Sequence, residues 1–304
     1  MRWNLRALLP KGCIIIFFFC CAGDQRAQVP DRNPYPTIES IPVPAGYRRV
    51  PAEKGSFGAW LRQIPLKKDK TVYLFDGSPK RNQEAQFAVL DVSVGHKDLQ
   101  QCADAVMRLR AEYLYSQKDF AAIDFYTGQG MQLNFREWAR GRRVRLSGGR
   151  LMAYGSHRTD SPGIQTGPAV RTPACCTDRD CFSAYLETVF SYCGTLSLEK
   201  QLIPVPDFNA MQIGDVLIRG GAPGHAMLVV DRAVDSLGHT LYMLAQSYMP
   251  AQDIHIVNNP VAGSLNHGSP GPWYRIDQGE GVIETPEWTF YTRQLRTWPR
   301  GPGG

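Results

Sequence analysis

The spacing of apolar residues along the chain predicts three helices. The clearest helix covers residues 98–117, begins at Asp98 as its N-cap, and carries an apolar residue at every third or fourth position. These positions form one stripe: Leu99, Cys102, Val106, Leu109 and Tyr113. Shorter stripes predict helices at 56–66, where Ser56 is the expected N-cap, and at 182–193.

Apolar runs with strand-like spacing predict a second group of elements. Two strands are expected before the long helix, and the region after residue 211 is almost entirely of strand type. The predicted strands are 71–76, 86–94, 216–218, 225–230, 240–247, 253–257 and 273–276. The segment 288–298 fits either a helix or an extended strand. Because no repeat or long linker divides the chain, the pattern predicts a single α+β domain over residues 45–300.

The N-terminus has a different pattern. Three basic residues precede an apolar run from Cys13 to Cys21, which is too short to span a bilayer. This arrangement is typical of an export signal, and we assign it to residues 1–22. A polar, Pro-rich stretch at 23–44 is interpreted as a tether between the signal and the domain.

Two processing routes remain open for this segment. Lipidation at Cys20 or Cys21 would hold the domain on a membrane, whereas cleavage by a signal peptidase would release it. Both routes predict an exported protein, located in the periplasm or carried by the outer membrane as a lipoprotein.

Composition and charge restrict the kinds of molecule that the protein is expected to bind. Of the 304 residues, 43% are hydrophobic and 20% are charged, which is ordinary for a folded globular protein. The formal net charge is +6. The stretch from Arg136 to Arg150 contains six arginines and only one acidic residue, Glu137. This stretch is either a solvated basic edge or a surface for an anionic partner, such as a cell-wall polymer or a lipid headgroup. No nucleic-acid motif accompanies it, so we predict no nucleic-acid partner.

Five cysteines follow the signal: Cys102, Cys175, Cys176, Cys181 and Cys193. An odd number leaves at least one thiol without an intramolecular partner. The last four could form a disulfide, remain free or bind a metal, but their spacing matches no common zinc site. No two histidines stand at helical ligand spacing either, so the sequence predicts no metal and no cofactor.

Three residues form a candidate catalytic set. Cys102 falls in the first turn of the long predicted helix, where unpaired N–H groups and the helix dipole favour a thiolate. His225 opens an apolar strand directly after a Gly-rich turn, and Gln246 ends the next strand. A nucleophile, a base and a third group that orients the base are the parts of a thiol hydrolase. In the alternative interpretation Cys102 is an inert core residue, and His225 and Gln246 are structural.

Other polar residues could supplement or replace this set. Gln100 and Gln101 stand next to Cys102 and are candidate oxyanion donors. His255 is the best substitute for the base, and His96 is the histidine nearest to Cys102 in the sequence.

Long strings in the sequence resemble one family of exported Bacteroidota proteins, which is known as domain of unknown function 4846. The strings are Ile41-Pro42-Val43-Pro44-Ala45-Gly46-Tyr47, the run from Asp98 to Ala105, and the run from Ala245 to His255. The resemblance covers nearly everything after the tether. It implies an envelope lipoprotein but no established activity.

A second resemblance, to the NlpC-type cell-wall peptidases and their papain-like relatives, covers about a third of the chain. Gly214-Asp215-Val216-Leu217-Ile218, Gly224-His225-Ala226 and the upstream cysteine-headed helix carry it. It implies a papain-like core in which that helix packs on an antiparallel sheet. The chain departs from the pattern in two places. Gln101 stands where an aspartate is expected, and residues 118–205 would be a large insertion.

Two hypotheses follow from these observations. In the first, the protein is a cysteine-dependent hydrolase of peptidoglycan or other peptide amide bonds, in which Cys102 attacks, His225 transfers the proton and Gln246 orients the ring. In the second, it is a non-catalytic periplasmic lipoprotein that binds a glycan, a peptide or an envelope protein. The second hypothesis uses aromatic residues expected in loops: Trp273, Tyr274, Trp288 and Tyr291.

Overall fold

The computed structural model describes residues 32–155, 176–260, 271–276 and 281–299. The predicted export signal, Cys20, Cys21 and Cys175 lie outside these ranges. The described residues form five α-helices: α1 (Phe57–Arg62), α2 (Cys102–Ser116), α3 (Phe135–Ala139), α4 (Arg179–Tyr192) and α5 (Thr195–Gln201).

The same residues form fifteen strands. Before α4 these are β1 (Tyr47–Arg49), β2 (Gln86–Val89), β3 (Asp124–Tyr126), β4 (Gln132–Asn134), β5 (Arg143–Ser147) and β6 (Arg150–Tyr154). After α5 they are β7 (Ile203–Pro204), β8 (Val216–Arg219), β9 (His225–Asp235), β10 (Thr240–Gln246), β11 (His255–Val257), β12 (Trp273–Arg275), β13 (Val282–Glu284), β14 (Thr289–Tyr291) and β15 (Leu295–Thr297).

A nine-stranded antiparallel sheet is the centre of the fold. Its main path runs β2-β11-β10-β9-β8-β15-β7, while β1 pairs with β9 and β12 pairs with β10. Strands β8, β9 and β10 are consecutive in the chain and neighbours in the sheet, so short turns are enough to connect them. The predicted α+β class with an antiparallel sheet is confirmed.

The two faces of the sheet are covered differently, and the alternation along β9 shows why. Ala226, Leu228 and Val230 point into the larger core, which α2 and the other main helices fill. Met227 and Val229 point to the opposite face, into a smaller core with residues such as Phe290 of β14. Because β9 is buried on both faces, it appears in the sequence as a continuous apolar run.

A buried ion cluster connects β1 and α1 to the central strand β9. Asp231 of β9 is fully buried and accepts hydrogen bonds from Arg49 Nε and Arg62 Nε, each at 2.7 Å. The arginines belong to β1 and α1, so the carboxylate ties both elements to the central strand. Removing one member of such a cluster leaves an uncompensated buried charge.

Several predicted boundaries are corrected by the structure. Helix α2 begins at Cys102 and not near Asp98, and its N-cap is Gln101. Residues 71–76 are not a strand, because that stretch turns back on itself and makes only isolated bridges, Tyr73 with Pro79 and Leu74 with Gln252. The segment 288–298 is mainly extended, with β14 and β15 separated by one short 3-10 turn.

Part of the predicted tether is folded. Ile38 and Ile41 are buried in the main core, and the indole N–H of Trp273 donates to the carbonyl of Pro42 at 2.8 Å. The folded part therefore extends upstream of residue 45, because these apolar side chains fill space beside the sheet.

One of the alternatives left open for the cysteines is realised. Cys176 and Cys181 form a disulfide, and Cys102 and Cys193 are free thiols. Within the described ranges, no three His, Cys, Asp or Glu side chains converge in a way that could hold a metal ion. No helix in these ranges has both the length and the apolar character needed to cross a membrane.

Candidate active site

The first turn of α2 presents Cys102 at the end of the central strands. Cys102 is the first residue of the helix and is 7% exposed. The first N–H groups of a helix have no intrahelical partner, so they remain available to a bound group. The backbone N–H of Ala226, at the start of β9, lies close enough to the Cys102 sulfur to lower the pKa of the thiol. The thiol therefore lies against the residue that follows His225.

Polar contacts hold the start of α2 beside the end of β10. The carboxylate of Asp98 accepts a hydrogen bond from the backbone N–H of Ala251 at 2.7 Å. The hydroxyl of Ser247, the residue after β10, lies 3.2 Å from the carbonyl oxygen of Gln100. These contacts, across 147 and 153 residues of sequence, explain why α2 begins at this particular edge of the sheet.

His225 is the first residue of β9, and the turn before it is closely packed. A Cβ at Gly224 would lie 2.4 Å from the carbonyl oxygen of Gly221 and 2.5 Å from Oγ1 of Thr195, so only glycine fits there. The His225 ring is 1% exposed and contacts three aromatic rings. The centroid distances are 4.9 Å to Tyr248, 5.2 Å to Trp288 and 5.9 Å to Phe290.

A buried hydrogen-bond network continues from His225. Nε2 of His225 lies 2.7 Å from Oε1 of Gln246. The Gln246 amide nitrogen donates to Oε2 of Glu287 at 2.7 Å and lies 3.2 Å from Nε2 of His255. Glu287 in turn pairs with Lys80 Nζ at 2.6 Å, with side-chain exposures of 7% for Lys80 and 13% for Glu287.

The partners in this network determine which nitrogen of His225 carries the proton. The Glu287 carboxylate can only accept, so the NH₂ end of the Gln246 amide must face it. Nδ1 of His255 is 3.0 Å from the carbonyl oxygen of Asp253 and must donate to it, which leaves His255 Nε2 to accept from the same NH₂ group. The carbonyl end of Gln246 therefore faces His225, and His225 must donate from Nε2.

This tautomer leaves Nδ1 of His225 as the basic nitrogen. Among the described residues, Nδ1 makes no hydrogen bond. A neutral imidazole whose Nε2–H is held by a third group, and whose Nδ1 lone pair is free, is the form that a general base requires. The network thus fixes the tautomer of His225.

The electrostatics of Cys102 differ from the sequence-based expectation of a stabilised thiolate. Burial, and after it the negative charge of Asp104, raises the pKa of the Cys102 thiol to about 11. Nearby backbone N–H groups, including that of Ala226, act in the opposite direction but do not outweigh burial. At neutral pH the resting thiol is therefore protonated.

His225 is neutral at the same pH. Burial is the main cause that lowers the pKa of His225 to about 4, the charge of Lys80 lowers it further, and the hydrogen bond to Gln246 partly offsets them. Cys102 and His225 are therefore both neutral at pH 7, and no thiolate–imidazolium ion pair exists at rest.

A cleft of about 320 Å³ opens on the nucleophile side. It is lined by Cys102, Gln101, Asp104, Cys193 and Gly224, among others. Asp104 is 6% exposed; its Oδ2 accepts from the backbone N–H of Gln101 at 3.1 Å, and its Oδ1 is buried without a hydrogen-bond partner among the described residues. Burial raises the pKa of Asp104 to about 8, so this carboxyl group is mostly protonated at neutral pH.

The structure thus brings the three predicted residues to one end of the sheet. Gln246 contacts His225 directly, and Cys102 lies near Ala226, the residue that follows His225. Within the described part of the chain, no hydrogen bond joins the Cys102 sulfur to the His225 ring. The Tyr248 ring contacts the His225 ring, and burial, followed by the charges of Glu287 and Cys102, raises the pKa of Tyr248.

The secondary candidates are distributed differently. Gln101 lines the cleft, whereas Gln100 is buried and its Oε1 accepts from Arg108. His255 is fully buried with both ring nitrogens engaged, so it is no substitute for the base. His96 is exposed and borders a different cavity.

Among the aromatic residues expected in binding loops, Trp273 and Tyr274 are core residues with 1% and 3% exposure. That expectation is therefore wrong for both of them.

Sequence reasoning missed three members of the site: Asp104, Lys80 and Glu287. Asp104 follows Cys102 by two residues and could have been noticed as an acid in the first turn of the helix. No local signal marks Lys80 or Glu287, which are separated by 207 residues and meet only in the folded chain.

Comparison with known proteins places this site inside one family. The chain belongs to the family described as domain of unknown function (4846), whose model matches residues 38–297. No curated protein and no solved structure matches the chain. The matched span includes Cys102, His225 and Gln246, together with the Lys80–Glu287 pair.

Proposed function

We propose that the protein is a cysteine-dependent hydrolase of peptide amide bonds, with the stem peptides of peptidoglycan as its substrate class. The buried network that fixes His225 as an Nε2–H imidazole is the observation that carries the proposal. His225 stands at the same end of the sheet as the first turn of α2, and its Nδ1 makes no hydrogen bond among the described residues. The proposed architecture is a papain-like core, in which α2 supplies the nucleophile and β9 and β10 supply the base and its orienting amide.

In the proposed reaction His225 Nδ1 removes the proton from the Cys102 thiol as the sulfur attacks the carbonyl carbon of the scissile amide. The free N–H groups in the first turn of α2, and the Gln101 side chain in the cleft, stabilise the oxyanion. The imidazolium then protonates the leaving amine, and an acyl thioester remains on Cys102. Water, deprotonated by His225, hydrolyses this thioester and restores the free thiol.

The electrostatics impose a specific form on this mechanism. The thiol has a pKa of about 11 and the imidazole a pKa of about 4, so both are neutral through the physiological range. Proton transfer is therefore coupled to attack, as in serine hydrolases. A substrate fills the cleft and places its carbonyl against the helix N-terminus. Charge separates between the sulfur and the imidazole only when that substrate is bound.

The experiment compares the full chain with Cys102→Ala and His225→Gln on purified stem peptides, with released amines as the readout. We expect each substitution to reduce the rate of cleavage roughly 10⁴-fold or more, as removal of a nucleophile or base does in other hydrolases. His239→Gln, which changes an exposed histidine at the β9–β10 turn, should retain the wild-type rate. Equal cleavage by wild type and Cys102→Ala would refute the hydrolase proposal.

One observation favours the second candidate, a non-catalytic envelope lipoprotein that binds a peptide, a glycan or a protein partner. A thiol with a pKa of about 11 is unreactive at rest, and the same cleft could hold a ligand without cleaving it. In that case stem peptides would bind to wild type and to Cys102→Ala with equal affinity, and neither protein would release an amine.

A further inference from the structure

A two-stranded ribbon formed by β5 and β6 stands apart from the central sheet. The ribbon, residues 143–154, is closed by Gly148 and Gly149 and pairs Arg143 with Tyr154 through to Ser147 with Arg150. Every residue of its two strands is half-buried or exposed. Gln129 fastens the ribbon to the body, since its side chain donates to Gly149 O and accepts from Leu151 N, each at 3.0 Å.

Apolar side chains are exposed on both faces of this ribbon. Leu146 lies on one face, opposite Leu151, and is 58% exposed. Met152 and Tyr154 lie on the other face and are 51% and 49% exposed. Soluble proteins rarely expose several large apolar side chains together unless the surface binds something.

The charged side chains of the ribbon are all positive. Arg143, Arg145 and Arg150 belong to it, and no Asp or Glu occurs from residue 138 to 155. The Arg145 guanidinium lies 5.6 Å from the centroid of the Tyr154 ring, so the charge is carried close to an exposed aromatic surface. Arginine and tyrosine side chains of this type place an apolar body in one phase and a polar end in another.

We propose that the β5–β6 ribbon lies in the interface of a membrane that carries anionic lipids, with its exposed side chains in contact with the lipids. A protein groove would cover one face of the ribbon and leave the other face exposed, whereas a lipid interface surrounds both. The arginines match the negative charge of the phosphate headgroups, and Leu146, Met152 and Tyr154 match the apolar boundary below them.

The dimensions agree with interfacial insertion. Five residues per strand at about 3.4 Å each give a ribbon roughly 17 Å long. This is less than the ~30 Å hydrocarbon core of a bilayer but more than the ~5–10 Å depth of an interfacial element. The ribbon would therefore lie at the membrane surface and would not cross it. The proposal is independent of the hydrolase activity.

The experiment measures binding of the full chain to vesicles of phosphatidylcholine with phosphatidylglycerol by co-sedimentation. Each arginine near an anionic surface contributes on the order of 1 kcal/mol, or about fivefold in affinity. Arg145→Gln with Arg150→Gln should therefore weaken binding roughly 25-fold. Leu146→Ser with Met152→Ser should weaken it at least about tenfold, because two exposed apolar side chains no longer enter the interface.

Matched controls distinguish vesicle binding by the ribbon from binding by other parts of the chain. The N-terminal segment is the same in every variant, so its contribution to binding does not change. Leu237→Ser changes an even more exposed leucine, at 80%, on another turn, and Arg81→Gln changes an exposed arginine elsewhere. Both controls should bind the vesicles like wild type.

Unchanged binding of the ribbon variants would overturn the proposal, as would equal binding of wild type to neutral phosphatidylcholine vesicles. Hydrogen exchange gives a second measurement: amides in 144–153 should become protected when anionic vesicles are added. If those amides are instead protected by a soluble acidic polypeptide and not by vesicles, the ribbon binds a protein and the proposal is wrong.

Discussion

The two halves of the candidate site are built in opposite ways. On the base side, His225, Gln246, His255, Glu287 and Lys80 form a continuous network in which the amide and the carboxylate are paired and the tautomer is determined. On the nucleophile side, Cys102 is a free thiol in a cleft, and Asp104 keeps one buried oxygen without a partner among the described residues. The His225 ring is therefore held by a defined network, whereas the surroundings of Cys102 leave a buried polar atom unpaired among the described residues.

This difference has a chemical consequence. Buried networks are stable only when every member is satisfied, so the base side is rigid and intolerant of change. Among the described residues no positive charge lowers the pKa of the Cys102 thiol, and both burial and Asp104 keep the sulfur protonated. A substrate in the cleft has to complete the electrostatics of this half. Reactivity would then depend on occupancy, which protects the thiol in the absence of substrate.

The largest effect is expected from a substitution that breaks the hydrogen-bond network around His225. Glu287→Ala leaves the Lys80 ammonium buried without its carboxylate and removes a partner of the Gln246 amide. We expect a loss of about 3–5 kcal/mol in the free energy of unfolding, measured by urea denaturation.

The exposed pair formed by Lys97 and Glu187 is the matched control. Its side chains are 63% and 53% exposed, so Glu187→Ala should cost less than about 1 kcal/mol. A similar small loss for Glu287→Ala would show that the network does not hold the base side together.

A smaller effect, of opposite sign, is expected on the nucleophile side. Because burial raises the pKa of Asp104 to about 8, the folded chain retains a proton that the unfolded chain releases near pH 4. The stability contributed by this proton is therefore present at low pH and is lost as the pH rises to about 8. Asp104→Asn cannot ionise, and above pH 8 it should be more stable than wild type by about 2 kcal/mol.

The same substitution also tests the electrostatics of the thiol. Without the Asp104 charge, the pKa of Cys102 should fall, so iodoacetamide should label Cys102 faster in Asp104→Asn than in wild type at pH 9. Asp76→Asn changes an exposed carboxylate and should raise neither stability nor labelling. A destabilised Asp104→Asn at pH 9 would mean that the ionised carboxylate has a partner in the cleft.

The comparison also explains what the sequence could and could not predict. Cys102, His225 and Gln246 could be found because each stands at the beginning or the end of an element with a strong apolar pattern. The first turn of α2 was placed four residues too early, since Asp98 is a good N-cap by type but uses its carboxylate to hold Ala251. Helix α5 was missed because seven residues give too short a periodic signal.

Long-range partners were beyond sequence reasoning for a physical reason. Lys80 precedes β2, whereas Glu287 lies in the turn between β13 and β14, so the two side chains meet only in the folded chain. The pKa of Cys102 was also mispredicted, because the helix N-terminus favours a thiolate but the depth of burial cannot be read from an apolar stripe. Burial proved to be the stronger effect.

The protonation state of His225 tests the central claim most directly. In full-length protein labelled with ¹⁵N on histidine, the His225 resonances can be identified by their absence in His225→Gln. We predict a neutral ring with the proton on Nε2 at pH 7, and no protonation until the pH approaches about 4. A ring with the proton on Nδ1 would contradict the account, because Nδ1 could not then act as the base for Cys102. A ring that titrates near the ordinary value of 6.5 would also contradict it, because the ring would not then be buried as described.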